Sequence, residues 1–68
     1  TVALDEIKLA LAADPNYAPA YVLRGLIYMR LNDARQAEDS FKRALQINPK
    51  YAPAASNLSG IYFKKKDD

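Results

Sequence analysis

The sequence has 68 residues, half of them hydrophobic and 26% charged, with no cysteine, no histidine and a net charge of +2. That length allows one small domain at most, and the balance is that of a folding chain, not a disordered one. Lacking cysteine and histidine, it has neither a disulfide framework nor the usual ligands of a zinc or copper site, and no cofactor is expected.

No apolar run approaches the ~20 residues of a membrane span, and the pattern predicts four helices. The first, at 2–13, carries Ala3, Ile7, Ala10 and Leu11. The second, at 19–31, opens on Pro19, whose missing N–H costs nothing in a first turn. Ala20, Tyr21, Leu23, Ile27, Tyr28 and Leu31 then recur at helical spacing. Asn32-Asp33 breaks that pattern: Asn tolerates a left-handed backbone, and Asp33 is a good N-cap with Gln36 three residues on.

The third helix, at 34–47, puts Ala37, Phe41, Ala44, Leu45 and Ile47 on one face. Its other face pairs Arg35 with Asp39, Glu38 with Lys42 and Asp39 with Arg43 at four-residue spacing, each worth ~0.2–0.5 kcal/mol. Asn48-Pro49 ends it, because the residue before a proline is pushed out of helical geometry. The fourth helix, at 53–66, carries Leu58, Ile61 and Tyr62. The loops are short, so neighbouring helices should run antiparallel, and the fold class is all-α.

The two halves repeat. Pro15-Asn16-Tyr17-Ala18-Pro19-Ala20 returns as Pro49-Lys50-Tyr51-Ala52-Pro53-Ala54, an offset of 34 residues, and at that offset thirteen aligned pairs are identical. A period of this length is the mark of a stacked helical-repeat architecture.

These residues resemble the tetratricopeptide repeat family, whose 34-residue pattern is W-x2-L-G-x2-Y, then A-x3-F, then P. Tyr21 stands at the tryptophan position, Gly25, Tyr28, Ala37, Phe41 and Pro49 match, and Arg24 departs at the leucine position. The sequence around Asn32-Asp33 is also similar to bacterial repeat proteins of the pilus-assembly pilotin type. The pentatricopeptide architecture, which reads RNA one base per repeat, has a longer period and is disfavoured by the fixed offset. The resemblance divides the chain into the second helix of one repeat (1–17), a complete repeat (18–51) and the first helix of another (52–68).

The resemblance implies a protein-interaction scaffold in which first helices line a concave groove for a peptide or partner helix. Transferred by position, the groove takes Val22, Leu26, Met29 and Arg30 from one repeat and Ser56, Phe63 and Lys64 from the next, with Gly60 leaving room beside them. That makes an apolar floor with a basic edge, suited to a segment of some acidic character. Some members grip a C-terminal carboxylate with lysines and asparagines; here Val22, Leu26 and Pro53 stand at those positions and only Asn57 fits.

Rival chemistry is poorly supported. The serines Ser40, Ser56 and Ser59 have no histidine to activate them, and a Ser–Lys pair would have to use Lys42 or Lys64. Ser40 reads as a polar residue of an outer face. The adjacent acids Asp5-Glu6 and Glu38-Asp39 do not face each other on a helix, so no enzyme is expected. Lys64, Lys65 and Lys66 read as a solvated helix end, and no nucleic-acid partner is expected from so small a net charge.

Thr1 aligns with Arg35, inside a second helix, and is not an initiator residue, so the chain reads as an excised piece. Its first and last helices each lack a hairpin partner. Head-to-tail or helix-swapped self-association is therefore expected, through Ala3, Ile7 and Leu11 at one end and Leu58, Ile61 and Tyr62 at the other. The alternatives to a peptide scaffold are a self-assembling structural or engineered repeat, and an RNA-binding helical repeat.

Overall fold

The turns explain the architecture. Asp14 and Asn48, 34 residues apart, each accept a side-chain hydrogen bond from the backbone N–H two residues on, at Asn16 and Lys50, both 3.2 Å. In each turn the tyrosine N–H then closes back on the first carbonyl, Tyr17 to Asp14 at 3.2 Å and Tyr51 to Asn48 at 3.0 Å. Pro15 and Pro49 sit second in these turns, where the fixed φ of proline is already correct.

In the computed structural model, which describes residues 2–66, these turns separate four helices: α1 (Val2–Ala13), α2 (Ala18–Arg30), α3 (Ala34–Ile47) and α4 (Ala52–Lys66). There is no strand among the described residues, and the fold is all-α. Each predicted boundary falls within one residue of the observed one. Asp67 and Asp68 lie outside the described residues.

The α2–α3 corner is built by two residues. Asn32 has φ 62°, the one left-handed non-glycine among the described residues. Its N–H donates to the Met29 carbonyl (3.1 Å) and that of Asp33 to Tyr28 (2.8 Å), the paired closing bonds of a helix ending at a left-handed residue. Asp33 then caps α3, accepting from the Gln36 N–H at 3.2 Å. One short segment thus stops one helix and starts the next.

Packing follows from residue size. α2 and α3 form the main hairpin, and Ala37, Phe41 and Ala44 on α3 are fully buried. Gly25 lets the helices meet: a Cβ there would lie 2.5 Å from a ring carbon of Phe41. α4 adds Ala54, Leu58 and Ile61 to the same core. α1 contributes less, with Ile7 buried and Leu11 packed against the core from outside.

Two expectations need correction. Ser40 is not on an outer face: it is fully buried, donating to the Gln36 carbonyl and accepting from Arg24 Nε, both at 2.9 Å. Arg24 also lies over the Tyr21 ring, 4.8 Å from its centroid. This explains the departure from the family's leucine, because stacking and a buried hydroxyl satisfy the guanidinium against α3. Tyr62 is 45% exposed and Leu23 54% exposed, Leu23 beside the cleft between α1 and α2. Of the three predicted α3 pairs only Glu38–Lys42 forms, at 2.9 Å, while Arg43 turns to Gln46.

Candidate functional site

α2 and α4 carry the residues assigned to the groove. Leu26, Met29 and Arg30 are three and four residues apart and share a face of α2. Leu26 and Met29 are about 40% exposed, and Arg30 is exposed. Val22 does not join them, because it is buried in the core. On α4, Ser56, Gly60, Phe63 and Lys64 fall on one face by the same spacing, and all four are exposed, Phe63 at 73%.

The two faces meet at one place. Met29 and Lys64 line a single cleft of about 280 Å³, together with Asn32, Ala34, Ile61 and Lys65. Asn32 and Ala34 belong to the corner described above, and sequence reasoning took Asn32 only for a helix stop. Its left-handed backbone turns the chain so that the corner borders the cleft. Periodicity along a helix carries no signal for that.

Glu38 holds α4 against α3. Its carboxylate accepts from Lys65 Nζ at 2.6 Å and from Lys42 Nζ at 2.9 Å. The Lys65 hydrogen bond first, and then that from Lys42, keep the Glu38 carboxyl below its ordinary range. Lys42 is correspondingly raised, chiefly by Glu38. The depressed acid stabilises the fold above the unfolded carboxyl value of about 4.3 and loses that contribution as pH falls through the folded value. The melting temperature should therefore drop as pH is lowered from 5 toward 3, and Glu38→Gln should lower it at pH 7 and flatten that part of the curve. Thermal melts followed by circular dichroism check this; an unchanged acid limb in Glu38→Gln would show that other groups set it.

The residues expected to mediate self-association fall into two sets. Leu58 and Ile61 are spent on the chain's own core. Ala3 and Ile7 instead line a cleft of about 330 Å³ between α1 and α2, where Ala10, Leu23 and Ile27 also stand. Leu11 is half-buried and Tyr62 half-exposed. No helix of the described residues is long and apolar enough to cross a membrane.

Compared with known proteins, residues 18–51 match the tetratricopeptide repeat family model. No curated protein and no solved structure matches the chain. The match covers half of the sequence, and it spans the α2–α3 hairpin with its Gly25–Phe41 contact and its Asn32-Asp33 corner. This chain therefore belongs to the tetratricopeptide repeat family, a non-catalytic helical repeat that mediates protein–protein interaction.

Proposed function

We propose that the chain binds an acidic, amphipathic segment of a partner protein along the faces of α2 and α4. The observation that carries this reading is the cleft shared by Met29 and Lys64, with exposed Leu26 and Phe63 on the same helices and Arg30 beside Met29. Exposed apolar side chains edged by cations suit a ligand that offers leucines and carboxylates together. A carboxylate clamp is a poorer reading, because the Asn57 amide donates to the Pro53 carbonyl of its own helix at 2.8 Å.

The test is a titration with a fluorescent amphipathic peptide of leucine, glutamate and aspartate. Arg30→Glu with Lys64→Glu should weaken binding at least tenfold while the helical circular dichroism stays. Equal binding by the double variant would remove the assignment.

Nucleic acid is the weaker partner. Of the terminal lysines, Lys65 is committed to Glu38, which lowers the charge left for phosphates. Labelled single-stranded RNA in ~150 mM salt should show only weak, non-specific association. Sub-micromolar binding with a steep salt dependence would count against the peptide reading.

A further inference from the structure

We propose that the chain docks head to tail on a second copy of itself, α1 of one copy closing on the outer face of α4 of the other. The α2–α3 interface, repeated at the 34-residue offset, supplies the geometry. On α3 the seam residues are Ala37, Phe41 and Ala44, all fully buried against α2. Their counterparts on α1 are Ala3, Ile7 and Ala10, which line the α1–α2 cleft, with both alanines exposed. On the other side of the seam, Gly25 and Tyr28 of α2 correspond to Ser59 and Tyr62 of α4, both exposed. α1 and α4 thus each present one half of an interface that α2 and α3 already make.

The substitutions across the offset compensate in size. Within the chain, glycine at 25 is forced by the Phe41 ring. At the outer seam the glycine is replaced by Ser59 and the ring by Ile7, so the side that gained a side chain faces one that lost volume. A second contact transfers in the same way. Met29 and Ile61 share a cleft; their counterparts are Phe63 of one copy and Ile27 of the next, again apolar on apolar. The surface also has area to lose: the chain exposes 4938 Å², where a compact protein of its mass exposes about 4,300 Å².

One position opposes docking. Glu6 stands where Ser40 is in the inner seam, and it would face Leu58 instead of Arg24. The carboxylate must reach past Ala55 to water, so the outer seam is weaker than the inner one, and Glu6→Ser should tighten it. The contact shares Phe63 with the proposed peptide groove, but the positions that test it, Ala10 and Ser59, lie outside that groove.

Sedimentation velocity of the 68-residue chain, from about 10 μM to about 1 mM, tests this. The mass should rise with concentration and pass beyond two chains, because a head-to-tail contact that does not close keeps adding copies. Ala10→Arg should block one end and Ser59→Arg the other. Both positions are exposed in the single chain, so the helical circular dichroism of each variant stays; Ala3→Arg, on the same face as Ala10, repeats the first test independently. Each variant alone should be monomeric, with the dissociation constant raised at least tenfold. An equal mixture of Ala10→Arg and Ser59→Arg should form two-chain species and nothing larger, since one sound end of each remains. A parent that stays monomeric throughout, a parent that stops at two chains, or a mixture that does not pair would each overturn the proposal.

Discussion

Phe41→Ala is expected to remove most of the stability of this chain. Phe41 is fully buried at the centre of the α2–α3 hairpin, against Gly25. Large-to-small changes at such a site cost about 3–5 kcal/mol, the lost transfer energy plus the cavity left behind. At roughly 0.05–0.15 kcal/mol per residue, a chain of 68 residues holds on the order of 3–10 kcal/mol in all. The cavity cannot easily collapse, because Ala37 and Ala44, one turn to either side, have no reach to fill it. Urea unfolding followed by circular dichroism should show a midpoint shifted far toward water, or no folded baseline at all. A loss below about 1 kcal/mol would mean that the ring is not the keystone its burial implies.

The helices and their corners were legible because each has a local cause. Asn32 and Asp33 act within five residues of themselves, and the two proline turns are read from closely similar short stretches. Ala37, Phe41 and Ala44 shared a face by spacing, and Gly25 opposite them came with the family resemblance. What escaped was anything set by a third helix. Val22 looked available because the family's groove positions transfer to it, but it is buried in one cluster with Ala37 and Phe41 of α3 and Ala54 and Leu58 of α4. Helical periodicity gives the direction of a side chain without the number of neighbours around it. Ser40 escaped for a related reason: its partner Arg24 is 16 residues away, and only the closed hairpin brings the hydroxyl to the guanidinium. Tyr62, assigned to the face of α4 that lacks a hairpin partner, stands 45% exposed.

The chain's two glycines should respond to alanine with opposite signs. In a helix interior, replacing glycine by alanine gains about 0.5–1 kcal/mol, because the unfolded chain loses freedom it would otherwise recover. At Gly60 a new Cβ meets nothing within 4 Å. That gain is then uncontested, and Gly60→Ala should stabilise the fold by close to the full amount. At Gly25 the same Cβ would lie 2.5, 2.7 and 2.9 Å from three carbons of the Phe41 ring. The ring is fully buried between α2 and α3 and has no space to retire into, so the helices must separate or the ring must leave its rotamer. Overpacking of this kind costs about 1–3 kcal/mol, which outweighs the propensity gain, and Gly25→Ala should be destabilising. Shrinking the ring relieves the conflict. In the background of Phe41→Leu, Gly25→Ala should cost much less, giving a clear coupling energy in a double-mutant cycle. The single variants and the pair, compared by urea unfolding, decide the matter: equal responses at Gly25 and Gly60, or additive effects of Gly25→Ala and Phe41→Leu, would show that the hairpin spacing is not set by this contact.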